Sequence, residues 1–222
     1  AVQLPIGAES TFSGLIDLID MKAVKFDGDH GMNIMEFDIP ADLVDQAKQY
    51  RAKLLEKVAE ADEATMTKYL EKNDLSADEI RKAIRKLVLT DEMYPVFAGS
   101  ALQNIGVQRV LDGVVYFLPS PLDVPDVVAH DPDDEEKTIT IKVDDEKPFV
   151  ALAFKVATDP FVGRLTFFRV YSGQLTAGSY LLNSSNGEKE RISRIVRMHA
   201  NSREDVNDVY AGEIAAAIGL KA

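Results

Sequence analysis

Residues 159–182 read DPFVGRLTFFRVYSGQLTAGSYLL and decide the fold of the second half of the chain. Leu165–Ser172 and Ser179–Asn183 are β-branched, aromatic or alternating runs, which are typical of strands. No apolar period of 3.6 residues follows the second run. The sequence therefore predicts two strands separated by a turn that carries two glycines.

The two glycines have the spacing of a phosphate-binding loop. Gly173 and Gly178 fit the pattern G-x-x-x-x-G-K-[ST], but Ser179 stands in place of the lysine and Tyr180 in place of the magnesium-binding hydroxyl. Such a loop also needs a helix after it, so that backbone amides face the phosphates. We therefore expect a hairpin turn in which both glycines supply positive φ values.

The same β pattern extends over residues 138–222. Turn formers such as Asn186-Gly187 separate short runs that alternate or are rich in β-branched residues. The further predicted strands are Thr138–Val143, Phe149–Ala157, Arg191–Met198 and Glu213–Ile218. Short strands at this spacing predict a small antiparallel β-barrel.

Residues 1–118 mix strand and helix patterns. Strands are predicted at Phe12–Ile19, Ala23–Phe26 and Ile34–Ile39, with turn formers between them. A helix of about twenty residues is predicted to open at Pro40, because proline suits the first turn and apolar residues then recur every three or four positions.

Two further helices are predicted after this one. The first spans Glu63–Glu71. The second starts at Ser76, because Glu79 completes a capping box with it. Its apolar face is Ile80, Ala83, Ile84 and Leu87.

The next segments predict a strand, a helix and a linker. Tyr94–Ala98 is a short apolar run expected to be a buried strand, and apolar spacing between Ile105 and Leu118 predicts a helix. Residues 119–137, PSPLDVPDVVAHDPDDEEK, are rich in proline and acidic residues and predict a linker. The chain is thus expected to be a multi-domain α+β protein, with a small α/β part followed by an antiparallel β-barrel.

Charge is unevenly distributed. The net charge is −12, and residues 151–222 hold nine Lys/Arg and seven Asp/Glu, so this part carries +2 and residues 1–150 carry −14. RNA contact is therefore electrostatically easiest in the C-terminal third. The chain has no cysteine and three widely separated histidines, so no histidine-based metal site or catalytic triad is predicted. No pair of carboxylates stands out either, and no catalytic or metal-binding residue is therefore predicted.

Several long motifs run in order along nearly the whole chain. They are Gln3-Leu-Pro-Ile-Gly7, Phe12-Ser-Gly-Leu-Ile-Asp-Leu-Ile19, Pro95-Val-Phe-Ala-Gly-Ser-Ala-Leu102, Leu118-Pro-Ser-Pro-Leu122, the run from Asp159 to Gly173, Arg197-Met-His-Ala-Asn201 and Ala211-Gly212. Together they resemble bacterial elongation factor G. That family implies a cytoplasmic, ribosome-dependent GTPase that drives translocation of tRNA and mRNA.

The resemblance also implies which parts of such a factor are present. Residues 1–91 would match the inserted subdomain of the GTPase domain, 92–118 its last strand and helix, and 138–222 the β-barrel second domain, cut before its final strand. The phosphate loop, switch regions and Asn-Lys-x-Asp motif would precede Ala1. We therefore expect an internal fragment without GTPase activity, whose intact parent binds GTP or GDP with magnesium.

One piece of the nucleotide site is implied to be present. By the resemblance, Ser100, Ala101 and Leu102 form the loop whose backbone amide contacts the guanine base in the intact parent. The alternative is a small-residue loop between a strand and a helix, with no nucleotide role. Since one amide contact gives about 1 kcal/mol, no detectable GTP binding by this chain is expected.

The barrel is implied to dock on small-subunit ribosomal RNA. The candidate contact residues are Arg164, Lys189, Arg191, Arg194, Arg197, His199 and Arg203. A solvated strand face balanced by neighbouring acidic residues is the alternative. On a single strand, Arg191 and Arg197 would share one face and Arg194 would lie on the other. Arg164 is also a candidate for an interface with the GTPase domain.

The acidic, helical residues 1–91 are implied to dock on the stalk protein of the large ribosomal subunit. Candidates are Asp42, Gln46, Gln49, Lys53 and Glu56, and a merely solvated helix face is the alternative. No membrane or DNA partner is expected. A ribosomal protection protein, a factor G paralogue and a stand-alone RNA-binding barrel protein are the alternatives for the function of the chain.

Overall fold

The computed structural model describes residues 1–28, 31–131, 134–200 and 202–220. The chain forms two compact units, Ala1–Pro119 and Ser120–Ala222. His30, Asn201 and two residues of the predicted linker, Pro132 and Asp133, lie outside the described residues.

A four-stranded antiparallel meander begins unit 1. Its strands lie in sequence order and are β1 (Gln3–Ile6), β2 (Gly14–Asp17), β3 (Lys22–Asp27) and β4 (Asn33–Phe37). Side chains alternate between two clusters, because successive residues of a strand point to opposite faces. Ile16 packs with the helices in the larger cluster, whereas Leu15 and Val24 pack near Ile105 in a smaller one.

Four helices follow the meander. They are α1 (Val44–Ala59), α2 (Glu63–Lys72), α3 (Ala77–Leu89) and α4 (Val107–Phe117). The predicted start of α1 at Pro40 is wrong, because a turn intervenes in which the Leu43 N–H donates to the Pro40 carbonyl at 2.8 Å. The capping box of α3 is confirmed: the Ser76 N–H donates to Glu79 Oε2 at 3.0 Å, and the Glu79 N–H donates to Ser76 Oγ. All four residues of its predicted apolar face are buried.

The predicted buried strand at Tyr94–Ala98 is wrong. No regular strand forms there, and the Tyr94 and Val96 side chains are 74% and 59% exposed. The Val96 carbonyl accepts one backbone hydrogen bond, from the Val2 N–H at 3.1 Å. One such bond does not make a ladder, since a strand needs a repeated series of them.

Unit 2 is built from antiparallel strands. A five-stranded sheet has the order β13-β12-β15-β8-β7, and the pairs β5–β6, β10–β11 and β9–β14 complete the unit. The strands are β5 (Val127–Asp131), β6 (Asp134–Ile141), β7 (Val150–Asp159), β8 (Gly163–Ser172), β9 (Leu175–Thr176), β10 (Tyr180–Asn183), β11 (Glu188–Arg191), β12 (Arg194–His199), β13 (Ser202–Val206), β14 (Asp208–Val209) and β15 (Ile214–Ile218). The predicted fold class, α/β followed by antiparallel β, is confirmed.

Two stretches of unit 2 differ from the sequence-based prediction. β5 and the first residues of β6 lie inside the segment expected to be a linker, because Val127 pairs with Ile141 and Ala129 with Ile139. The predicted strand Arg191–Met198 is broken after Arg191. The backbone of Ile192 bonds instead to Gly178 and Ser179, since its N–H donates to the Ser179 carbonyl and its carbonyl accepts from the Gly178 N–H.

The glycine stretch is not a phosphate-binding loop, as predicted, but the predicted hairpin turn is wrong: β9 lies between the two glycines and pairs with β14, and β8 does not pair with β10. Gly173 has φ +71° and Gly178 has φ +89°, and strands β9 and β10 follow instead of a helix. A Cβ on Gly173 would lie 2.5 Å from the Lys147 carbonyl oxygen, whereas one on Gly178 would meet nothing within 4 Å. Both positions favour glycine because of their positive φ. At Gly173 a larger residue is also excluded by the neighbouring backbone, whereas at Gly178 it is not.

Candidate nucleic-acid interface

Four of the seven predicted RNA-contact residues are paired with carboxylates. The pairs are Arg194 with Asp205 at 2.9 Å, Arg197 with Glu213 at 2.8 Å, His199 with Glu204 at 3.5 Å and Arg203 with Asp159 at 2.8 Å. These partners belong to other strands or adjoin them, so the pairs connect elements of the unit. The charges of the three arginines are balanced locally, which weakens their attraction for phosphate.

Asp159 shows how closely one of these pairs is built into the fold. Its Oδ1 accepts hydrogen bonds from the Phe161 and Val162 N–H groups, at 2.8 and 3.0 Å, and its Oδ2 accepts from Arg203. These backbone donors, and then the Arg203 charge, hold the pKa of Asp159 below its usual value. Arg203 is therefore a positioning residue of the β7–β8 turn.

The remaining three candidates, Arg164, Lys189 and Arg191, are exposed and form no ion pair with any described carboxylate. Arg164 lies on β8 opposite Thr158. Lys189 and Arg191 both lie on β11. The Arg191 Nε donates to the Gly178 carbonyl at 3.3 Å, which orients its guanidinium.

The β10–β11 ribbon sorts its charges between two faces. Tyr180 lies opposite Arg191 and Leu182 opposite Lys189, whereas Leu181 lies opposite Glu190 and Asn183 opposite Glu188. Directly opposed residues of an antiparallel pair share a face. One face therefore carries Tyr180, Leu182, Lys189 and Arg191, and we call it the basic ribbon face.

The other face of the ribbon is turned toward the core of unit 2. Leu181 packs against the main cluster of that unit, and the Asn183 Nδ2 donates to Glu190 Oε1 at 2.7 Å. The basic ribbon face is consequently held outward, with Tyr180 66% and Leu182 53% exposed. It is an exposed aromatic and apolar surface with two cations that form no ion pair with any carboxylate in the described part of the chain.

The break after Arg191 changes one of our expectations. Arg191 and Arg197 belong to different strands, so the parity expected along a single strand does not relate them. Sequence reasoning also missed Tyr180 and Leu182. The sequence pattern that could have identified them is the alternation Glu188-Lys189-Glu190-Arg191, which follows the apolar run Tyr180-Leu-Leu after a short turn.

In unit 1, the candidate guanine-side residues lie in a tight loop before α4. Ser100 and Ile105 form an antiparallel bridge, with N–H to carbonyl distances of 2.9 and 3.0 Å in the two directions. Gly106, with φ +82°, then leads into the helix. Ala101 and Leu102 are exposed, and within the described part of the chain no backbone carbonyl accepts from their N–H groups.

The candidates for stalk-protein docking lie together on one surface. Gln46, Gln49, Lys53 and Glu56 follow one face of α1 at helical spacing, and Asp42 precedes the helix; all five are exposed. Over residues 1–28, 31–131, 134–200 and 202–220, no group of three or more acidic or histidine side chains is placed to hold a metal ion. In the same ranges no helix combines the length and apolar character needed to cross a bilayer.

Comparison with known proteins concerns both units. Residues 163–222 match the family model of elongation factor Tu domain 2. A crystal structure of a protein from Thermus thermophilus has the same fold over 98% of this chain, with a TM-score of 0.73 and 24% identity. The chain spans 29% of the length of that protein. Unit 2 thus has a β-barrel of the translation-factor type, which follows a small α/β part.

Proposed function

We propose that the chain is a ribosome-binding part of a translational GTPase of the elongation factor G class, which moves tRNA and mRNA in the cytoplasm. The observation that carries the proposal is the match of residues 163–222 to elongation factor Tu domain 2. The shared fold with a longer protein over 98% of this chain supports it.

The surface of α4 supports a role within a larger domain. Leu111, Val114 and Val115 are exposed on this helix, with Val115 78% exposed, and Val96 is exposed in the preceding segment. A contiguous apolar helix face of this kind usually packs against another element. In the proposal, the rest of a GTPase domain covers it.

The proposal assigns no catalysis to this chain. GTP or GDP with magnesium would be bound by the intact factor, with Ser100, Ala101 and Leu102 on the guanine side. The free N–H groups of Ala101 and Leu102 would serve as donors to the base, because a backbone donor needs small or outward-pointing side chains around it. Hydrolysis would depend on a phosphate loop that this sequence does not contain.

Two ribosomal contacts follow from the proposal. The barrel would bind small-subunit ribosomal RNA, and the outer face of α1 would bind the stalk protein of the large subunit. The barrel part carries +2 against −14 for residues 1–150, which favours the barrel for the RNA contact.

Sedimentation of the 222-residue chain with purified ribosomal subunits tests this function. We expect the chain to sediment with small subunits at low salt, to be released as salt is raised, and to be displaced by excess intact elongation factor G. Absence of binding to either subunit at low salt would overturn the proposal. Loss of large-subunit binding on removal of the stalk protein would support the α1 contact, and unchanged binding would reject it.

A further inference from the structure

We propose that the basic ribbon face is a platform for single-stranded RNA, on which Tyr180 stacks against an unpaired base while Lys189 and Arg191 hold the adjoining phosphates. The inference rests on the proposed function for the source of the RNA, an exposed loop of ribosomal RNA. The binding chemistry is argued from the residues of the β10–β11 ribbon alone.

The first argument is the segregation of charge. Glu188 and Glu190 lie between and beside the two cations in sequence, but the strand period puts them on the opposite face. Lys189 and Arg191 are therefore not neutralised by their neighbours. In the same unit, Arg194, Arg197 and Arg203 are each bound to a carboxylate, at 2.9, 2.8 and 2.8 Å.

The second argument is the exposed aromatic ring. Tyr180 is 66% exposed, on a strand whose opposite face is fixed in the core through Leu181. An exposed ring on a strand that is packed on its other face is available to stack on any base, because every base has a π face. Arg191 is the cross-strand neighbour of Tyr180, so a phosphate next to the stacked base lies within its reach.

The third argument concerns spacing. Lys189 and Arg191 are two residues apart on one strand, which separates their Cα atoms by about 7 Å. Both side chains are long, and they contact successive phosphates of one strand. Leu182, opposite Lys189, adds apolar surface next to the ring for the face of a sugar or base.

Fluorescence anisotropy with a labelled single-stranded RNA oligonucleotide tests the platform. We expect Tyr180→Leu to weaken binding roughly 5- to 150-fold, the range of measured base–aromatic stacking. Tyr180→Phe should keep the affinity within about twofold, because the ring is retained. All four side chains of the basic ribbon face are exposed, and circular dichroism will verify that each variant remains folded.

The two cations are tested together by salt dependence. Lys189→Gln with Arg191→Gln should reduce the slope of log K against log salt by about 1.4, since each phosphate contact on a single strand contributes about 0.7. The matched control, Lys142→Gln with Lys147→Gln, removes the same charge from exposed positions of unit 2 outside the ribbon and should leave the slope unchanged. An equal effect of both pairs would overturn the inference in favour of non-specific attraction.

The same variants separate this inference from the proposed function. If the unchanged chain binds small subunits and the ribbon variants bind equally well, the ribbon platform is rejected and the ribosomal role stands. If ribbon variants lose subunit binding but keep their affinity for naked RNA, the ribbon contacts protein, and the inference is also rejected. If neither subunits nor RNA bind the unchanged chain, both proposals fail.

Discussion

Arg197 on β12 and Glu213, just before β15, hold two parts of the barrel together. Arg197 Nη2 lies 2.8 Å from one oxygen of Glu213, and the other oxygen accepts the Tyr210 N–H at 3.0 Å. The Arg197 side chain therefore stabilises the fold through Glu213, although its position in a basic stretch made it a candidate for RNA contact.

We expect Arg197→Ala to lower the free energy of unfolding by about 1 kcal/mol, because a half-buried charged hydrogen bond is lost. Its RNA affinity should stay unchanged. Lys189→Ala should behave in the reverse way, with normal urea unfolding and weaker RNA binding. Urea unfolding and anisotropy on the two variants make the comparison, and weaker RNA binding by a stable Arg197→Ala would contradict this assignment.

Gly173 and Gly178, which lie before and after β9, should differ in their tolerance of a side chain. Gly178→Ala places a Cβ in open space at positive φ and should cost about 1–2 kcal/mol. Gly173→Ala adds a collision with the Lys147 carbonyl and Phe149 backbone and should cost about 3 kcal/mol or more. Equilibrium urea unfolding gives both values, and equal costs would show that the backbone near Gly173 relaxes around the added methyl group.

Asp17 should make stability depend on pH. Burial raises the pKa of its carboxyl above the ordinary value, against the hydrogen bonds from the Ile19 and Asp20 N–H groups. A raised pKa means that the folded state binds more protons, so stability falls as pH rises from the unfolded-state pKa through the folded-state pKa. The cost of the buried charge is then fully present at neutral pH.

Asp17→Asn keeps an oxygen acceptor for the two N–H groups and removes the charge. We expect it to raise the urea midpoint at pH 7 and to have no effect at about pH 3, where the carboxyl is protonated in both states. Asp42→Asn, at an exposed position, is the control. A gain at pH 7 that persisted unchanged at the lower pH would contradict a charge-burial origin.

The exposed face of α4 should tolerate polar residues in this chain. Leu111→Gln and Val115→Gln should each change the free energy of unfolding by less than about 0.5 kcal/mol, because both side chains already contact solvent. Light scattering should show less self-association of the double variant. Strong destabilisation would mean that this face is covered within the chain, which removes one support for the proposed larger domain.

Guanine nucleotides should not bind this chain measurably. One or two backbone donors at Ala101 and Leu102 contribute about 1 kcal/mol each, whereas even a millimolar dissociation constant needs about 4 kcal/mol. Titration calorimetry with GTP and magnesium should therefore give only dilution heats. Saturable binding in the micromolar range would contradict the assignment of the phosphate-binding residues to another part of a larger protein.

The sequence correctly predicted features of the fold that depend on interactions between residues close together in the chain. The Ser76–Glu79 box and the apolar face of α3 were predicted correctly, because caps and helical periodicity act within a few residues. Tyr94–Ala98 was wrong, because burial of a short apolar run depends on neighbours that its own sequence does not specify. β5 was hidden by the prolines and acidic residues around it.

In the candidate site, too, local features were predicted from the sequence and long-range contacts were not. Sequence identified the basic residues of the barrel, but pairing between distant strands decided which of them remain unpaired. The Asp159–Arg203 contact joins residues 44 positions apart, a relation that no local pattern reveals. Tyr180 became a candidate only once the register of β10 on β11 placed it opposite Arg191.

The register of β10 on β11 also decides whether cations or carboxylates lie beside Tyr180. Because side chains alternate strictly, a one-residue slip of β11 against β10 would exchange its two faces. Glu188 and Glu190 would then point to solvent beside Tyr180, and the surface would repel a polyanion. The length of the turn around Asn186-Gly187 therefore matters for the charge of this face, because loop length sets the register of a hairpin. We expect one uncharged residue inserted there to bring the two glutamates next to Tyr180 without altering the net charge.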